Sequence, residues 1–461
     1  MSGAAAIDVS QRSALQIGAM LAARLLDAEE VAERTLAAIR ACEDQAIFTR
    51  LTEGRALTEA RAASRRIRAG RPRSLLDGVP IAWKDLFDLE GIVTTAGSKV
   101  LDRDAPALRD APVVARLKTA GMVCVGRVNM SEFAFSGLGA NPHFGTPRNP
   151  HGRAGARMPG GSSSGSAVAV ARGLVPVSIG SDTGGSVRIP AAFNGIIGYK
   201  SSAGRYPTDG AFPLSRTLDT VGVLSRTVED AVVVDAALAG QVGPALRRRS
   251  LAGQQIVVPG NIVFDGVEPA VQANFDAALE RLVAAGAQVE RMALPVFDEI
   301  LALGAKRGTI VTAESFALHR ERLAGPEAEH IDRRVVARVR LGANVAMADY
   351  AFILQERRRI VAGFAAQFAP RTLFAFPTVA HTAPPLDALE ADDDLFLRVN
   401  MLTLRNTMLG NFLDWCGVSF PSGTDAQGLP TALLLSGLPG ADDDLLAVSL
   451  TAESIIRGET P

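Results

Sequence analysis

Cysteine is scarce in this 461-residue chain, which carries only Cys42, Cys124 and Cys416. Three scattered thiols can build neither a disulfide framework nor a zinc cluster, both of which need paired or closely spaced cysteines. A reducing, cytoplasmic setting is the expectation, with Cys124 in a strand and Cys42 and Cys416 packed on helices. A charge surplus is missing too, because 48 Lys and Arg stand against 49 Asp and Glu. Without a basic field, neither nucleic acid nor a membrane is expected as a partner. No apolar run reaches the ~18 residues that a membrane span needs. The stretch Met1 to Ile7 lacks the basic start of a secretory signal, and Asp8, Gln11 and Arg12 soon interrupt any apolar segment. Aromatic residues make up only 5% of the chain and give no hint of a lipid tunnel. Lysine is the last scarcity: five lysines, at 84, 99, 118, 200 and 306, stand beside 43 arginines. A lysine in a special setting therefore calls for a specific reason.

What remains is an ordinary globular composition, 48% hydrophobic and 21% charged. Roughly 150 residues per domain would allow about three domains. No Pro/Ser-rich linker, repeat or low-complexity tract separates them, so one large domain over 1–461 is expected. Residues 10 to 70 carry a helical pattern, with Asp27 and Glu30 spaced as a capping box before Val31, Leu36 and Ile39. From Gly78 onward short apolar runs alternate with helices. Val113–Ala120 stops at Gly121 before Met122–Val125, and Ser163–Arg172 stops at Gly173 before Val175–Gly180. Such alternation predicts an α/β fold with a mixed, mostly parallel sheet covered by helices on both faces. Further strands are expected at Gln255–Pro259, Gln288–Leu294, Thr372–Pro377, Val418–Pro421 and Pro430–Leu435. Helices are expected at Pro269–Ala285, through most of Thr309–Phe368, and from Asp442 to about Arg457.

The densest chemical signal is Gly160-Gly161-Ser162-Ser163-Ser164-Gly165-Ser166, followed by Gly180-Ser181-Asp182-Thr183-Gly184-Gly185-Ser186-Val187-Arg188. Alone, the first cluster reads as a hydroxyl-rich helix cap. The second changes the balance, since a Gly-Gly-Ser turn after a strand frees backbone N–H groups to point one way and form an oxyanion hole. A serine nucleophile needs a base. None of the five histidines (143, 151, 319, 330, 381) lies in a motif that ties it to either cluster. Lys84, ending the apolar run in Asp77-Gly78-Val79-Pro80-Ile81-Ala82-Trp83-Lys84-Asp85, is the alternative base; an ion pair with Asp85 or Asp88 is its plain structural reading.

Together, Gly78–Asp85, the Thr94–Ser98 turn, Asn149-Pro150, the unbroken run Pro159–Lys200 and, more weakly, Gly428-Leu429-Pro430 with the C-terminal helix resemble the amidase signature family. The two key serines lie 24 residues apart, with a strand between their clusters. The resemblance implies the amidase signature fold: a helical cover over 1–70, the catalytic core over 71–235, and the remainder of the same sheet and its helices over 236–461. It implies a Ser-cis-Ser-Lys triad with Ser186 as nucleophile, Ser162 as bridging serine and Lys84 as base, the peptide Gly161–Ser162 being cis. It also implies an oxyanion hole from the N–H groups of Thr183, Gly184, Gly185 and Ser186. Gly161, Ser163, Asp182 and Arg188 are supporting residues, Asp182 holding the turn and Arg188 pairing with a carboxylate. To work as a base, Lys84 must fall from about 10.4 to roughly 7–8, about 4 kcal/mol supplied by burial. Ser162 can both donate and accept, so it can relay a proton without changing its own charge.

The implied function is hydrolysis of a small-molecule amide through an acyl-enzyme, with no metal and no cofactor, and with a homodimer left open. Within the family, the alternative is the glutaminase component of a tRNA-dependent amidotransferase, working with partner subunits. From another class comes a nucleotide-binding protein using Gly160–Ser166 as a phosphate cradle, although no Gly-Lys-Ser/Thr ending supplies the phosphate lysine. Trp83, Phe133, Phe135, Leu138, His143, Phe212 and Tyr350 are candidate pocket-lining residues.

Overall fold

Short β-branched and aromatic runs punctuated by glycine form one sheet in the structure, a computed structural model that describes residues 8–152, 155–241 and 246–459. Met1–Ile7, where a secretory signal would begin, lies outside the described residues. The strands are Phe48–Leu51 (β1), Pro80–Lys84 (β2), Val123–Val128 (β3), Val177–Asp182 (β4), Ile197–Lys200 (β5) and Thr220–Ser225 (β6), then Gln255–Pro259 (β7), Gln288–Met292 (β8), Leu373–Pro377 (β9), Cys416–Thr424 (β10) and Pro430–Gly437 (β11). They lie in the order β1-β3-β2-β4-β6-β5-β10-β11-β9-β7-β8.

The sheet is mixed, but the expected parallel majority is not found. Parallel pairing is confined to β3-β2-β4 and β9-β7-β8, and the other six neighbouring pairs are antiparallel. The physical reason is connection length. A parallel pair needs a crossover of about a dozen residues or more, usually a helix. Only the short turn around Gly428 joins β10 to β11, and the segment from β5 to β6 contains no helix.

Side-chain alternation explains how the sheet is buried on both faces. Ile81, Trp83, Ile179, Val221 and Val223 pack with Val113, Val114 and Leu117 of the helix Pro112–Ala120. Their neighbours Ala82, Val123, Val125 and Leu224 pack on the opposite face with Ala167, Val168 and Val170 of the helix Ser164–Ala171. Gly121 ends the first of these helices at φ 98°, a left-handed conformation where a Cβ would also meet the Asp77 carboxylate at 2.2 Å. The N-terminal cover consists of the helices Ala14–Ala22, Ala28–Ala41 and Glu53–Arg68, and it contributes the unexpected edge strand β1. Asp27 caps the second helix from the Glu29 N–H at 2.9 Å, while Glu30 pairs with Arg34 instead of completing a capping box. Cys124 lies in β3 as expected, whereas Cys416 begins β10 and is not a helix residue. Among the described residues, no helix is long and apolar enough to cross a membrane.

Candidate active site

The parallel strands β2 and β4 run side by side, with Trp83 opposite Ile179, so Lys84 emerges beside Gly180 and Ser181 at their C-terminal ends. Since Trp83 faces Phe87 in the core, strand alternation turns Lys84 toward the Ala82 face, where the helix Ser164–Ala171 begins. Lys84 is fully buried, and its Nζ lies 2.7 Å from Ser162 Oγ and 2.9 Å from Ser181 Oγ. Its plain alternative fails here. Asp85 forms a buried ion pair with Arg127 at 2.9 Å and also accepts a hydrogen bond from Thr95, and Asp88 accepts one from Thr94. Burial lowers the Lys84 amine to about 7, against the opposing pull of Asp182 and Asp219.

The peptide Gly161–Ser162 is cis. Gly161 donates its N–H to the Gly137 carbonyl at 2.8 Å, and Ser163 donates its N–H to the Ser186 carbonyl at 3.2 Å, which ties the two serine clusters together. Ser163 Oγ donates to the Ser181 carbonyl at 3.3 Å and does not cap the helix that follows. With Gly165 N–H also engaged by the Asn129 carbonyl, the Gly160–Ser166 loop is stitched into the fold through the N–H groups a phosphate would require.

The Thr183–Val187 turn is built around Asp182. Its carboxylate accepts from Gly185 N–H at 2.8 Å, Val187 N–H at 3.1 Å and Asn411 Nδ2 at 2.9 Å, and pairs with Arg188 at 2.9 Å. Arg188 and these hydrogen bonds outweigh desolvation and hold Asp182 well below the ordinary carboxylate range. Gly185 adopts φ 130°, and a Cβ there would meet Thr407 Oγ1 at 2.1 Å. Because its N–H is spent on Asp182, Gly185 leaves the expected oxyanion set. Among the described residues, the N–H groups of Thr183, Gly184 and Ser186 have no such partner. Ser186 is 4% exposed, and its hydroxyl hydrogen-bonds to none of the described residues.

The histidines stay away from both serines. His143 meets Glu132 at 2.9 Å, His151 the Asn194 carbonyl, and His381 Thr403 and the Thr382 carbonyl, while His319 lies among Phe133 and Phe212. Of the aromatic candidates, Trp83 is core, whereas Phe212 lines a small cavity with Ala134, Ser181 and Asp219. Sequence reasoning missed Ser181, although it lies inside the motif beside Asp182. It also missed Asp219, Asn411 and Arg338, which reach the region from distant segments that carry no motif. Arg338 donates to the Phe135 carbonyl at 2.5 Å and its guanidinium stacks 4.2 Å over that ring; among the described residues no carboxylate pairs with it. No group of three or more His, Cys, Asp or Glu side chains among the described residues is arranged to hold a metal ion.

A buried lysine thus touches a serine that follows a cis peptide, beside a glycine-rich turn ending in a second serine. The amidase family model matches residues 30–446, and the chain belongs to this family, the amidase signature enzymes. It is 37% identical to a 2-amino-5-chloromuconic acid deaminase of Comamonas testosteroni, with 87% of each chain covered. It is 35% identical to a glutamyl-tRNA(Gln) amidotransferase subunit of Acidothermus cellulolyticus, covering 98% of this chain and 96% of that one. A solved amidase superposes with a TM-score of 0.84 at 30% identity, over 96% of this chain and 99% of that one.

Proposed function

We propose that the chain hydrolyses the carbon–nitrogen bond of a small-molecule amide through an acyl-enzyme on Ser186. The observation that carries this reading is the 2.7 Å contact between fully buried Lys84 and Ser162, at a lysine whose neighbouring carboxylate is taken by Arg127. A lysine lowered to about 7 is substantially neutral at physiological pH and can accept a proton. Ser186 loses its proton to Ser162 as Ser162 passes its own to Lys84, and the Ser186 oxygen attacks the amide carbon. The N–H groups of Thr183, Gly184 and Ser186 receive the charge that develops on the carbonyl oxygen. As the carbon–nitrogen bond breaks, the proton held by Lys84 returns through Ser162 to the leaving nitrogen, which departs as ammonia or an amine. Water then attacks the acyl carbon, its proton follows the same route, and the acid leaves with Ser186 restored.

The unpaired cation of Arg338 favours an amide that carries a carboxylate. Its helix, Arg333–Arg340, lies against the segment containing Phe135 and Gly137, and Gly137 is bonded to Gly161. An acidic substrate also agrees with the muconic acid derivative named for the Comamonas relative. The second reading, the glutaminase component of an amidotransferase, is favoured by the near full-length similarity to the Acidothermus protein.

The purified chain tested on primary amides, anilides and ureido compounds, each with and without a carboxylate, separates these readings. Steady ammonia release from an acidic amide with negligible glutamine hydrolysis supports the first. Silence on every amide, then glutamine hydrolysis once partner proteins are supplied, replaces it with the second.

A further inference from the structure

The segment between β5 and β6 contains no helix, yet it is held from both sides by carboxylates that take no part in the proton relay. On its inner side, Asp219 accepts from Leu214 N–H at 3.0 Å and Ser215 N–H at 3.1 Å, closing the segment on itself. The same carboxylate accepts from Thr183 Oγ1 at 2.6 Å, so it grips the turn whose N–H groups face the carbonyl oxygen. On the outer side, Glu314 of the helix Ile310–Ala324 accepts from Ser215 Oγ at 2.5 Å, Thr217 N–H at 3.1 Å and Tyr350 OH at 2.6 Å. These contacts form a continuous path from the helix through Ser215 and Asp219 to Thr183. Together the Leu214, Ser215 and Thr183 donors take up most of the acceptor capacity of the Asp219 carboxylate.

Resting on the acyl-enzyme reading of Ser186, we propose that Asp219 is a positioning residue that fixes the oxyanion turn through Thr183, with Glu314 bracing the loop from outside. Preorganised N–H donors act on a developing charge only when held in place, and misplacement by about 1 Å costs on the order of 100-fold in rate. Asp219 has a second consequence, because its negative charge favours the protonated form of Lys84. The charged groups facing Lys84 are Asp182 from β4, already neutralised by Arg188, and Asp219 from the loop. Asp219 in turn faces Lys84 and shares its small cavity with Arg216.

The test combines Asp219→Asn, Thr183→Val, Thr183→Ser and Glu314→Gln, with fluorophosphonate labelling of Ser186 in the unmodified chain as the independent readout. Asp219→Asn turns an amide N–H toward the Leu214 and Ser215 donors. It should lower kcat by about 10–100-fold with KM within about threefold, and move the acid limb of kcat/KM to lower pH. Thr183→Val should lower kcat comparably without moving that limb, and Thr183→Ser should recover most of the loss. Glu314→Gln should have the smaller effect on kcat. If Asp219→Asn fails to fold, the two Thr183 variants decide the matter, and equal losses in both overturn the proposal. A near-normal kcat with an unmoved acid limb in Asp219→Asn also overturns it. Absence of label on Ser186 in the unmodified chain would instead remove the acyl-enzyme reading beneath it.

Discussion

Two lysines end neighbouring regions of the same sheet, both fully buried, and they meet different partners. Lys84 ends β2 and Lys200 ends β5, and burial lowers the amine of each. Lys200 donates to the Ser201 carbonyl at 2.6 Å, an acceptor that has no proton to give. Arg188 lowers it further, while Asp182 and Asp414 pull the other way. Lys84 instead meets two hydroxyls, Ser162 and Ser181, and the residue after Ser162 donates its N–H to the Ser186 carbonyl. Burial makes a lysine a weak holder of its proton, and a hydroxyl partner gives it a proton to take. In the proposed mechanism it is the pairing with Ser162, not the pKa, that singles out Lys84 as the base.

The largest test of this contrast is substitution. Ser186→Ala should abolish turnover, and Lys84→Ala and Ser162→Ala should each lower kcat by at least about 1,000-fold, with non-additive losses because the three act as a unit. Lys200→Met should leave kcat within about tenfold of the parent chain, a spread compatible with packing changes near the Asp182–Arg188 pair. A Lys84→Ala protein that turned over normally at pH 7, or a Lys200→Met protein that did not, would reverse the assignment.

Next in size is the pH profile. With a base at about 7 that works deprotonated, kcat/KM should rise through neutrality to an alkaline plateau. A single titrating group makes the rate at pH 5 about 100-fold below the plateau. The Lys200→Met variant should keep the same limb, and a profile flat down to pH 5 would deny any such group.

A smaller effect is expected at Ser181, whose hydroxyl lies 2.9 Å from Lys84 Nζ but leads to no nucleophile. Ser181→Ala should lower kcat by roughly tenfold, the scale of one lost hydrogen bond, without abolishing acylation of Ser186 by a fluorophosphonate. A loss as large as that of Ser162→Ala would mean that the relay runs through Ser181.

The contrast also shows what the sequence made legible. Lys84, Ser162 and Ser186 could be singled out because lysine is rare here and the serines sit in dense glycine motifs, and the structure brings Lys84 against Ser162. Asp219, Asn411 and Arg338 could not, since each acts through a contact made across the fold from a segment without a motif. The commitment of Gly185 N–H to Asp182 depends on backbone direction, which residue identity leaves open. Strand positions were legible for the same reason that strand direction was not. Runs such as Leu373–Pro377 are apolar on both faces, so their composition announces a buried strand without saying which way its neighbour runs. Strand β1 escaped because Phe48-Thr49-Arg50-Leu51 is short, lies at the edge and sits among helices.

The smallest effect is on stability, and it has a definite sign. Lys84 titrates at about 7 in the folded chain and about 10.4 when unfolded. Below pH 7 both states carry the charge, and the folded state bears the full cost of burying it. Between these values the folded state binds fewer protons, so stability rises with pH, by at most about 1.4 kcal/mol per unit and roughly 5 kcal/mol in total. Lys84→Met removes that dependence but leaves Ser162 and Ser181 without their partner, which returns about 1–3 kcal/mol for each hydroxyl left unsatisfied. These losses, about 2–6 kcal/mol together, are of the same size as the cost removed, so the expected signature is the trend: the variant's Tm relative to that of the parent chain should be highest at pH 6 and fall toward pH 10. Lys200→Met should show a gap that narrows in the same direction, since its amine is also lowered by burial. Thermal unfolding at pH 6, 8 and 10 decides it: a gap that did not change with pH would mean that Lys84 keeps its ordinary affinity for protons, and the base would lose the property that the site is built to confer.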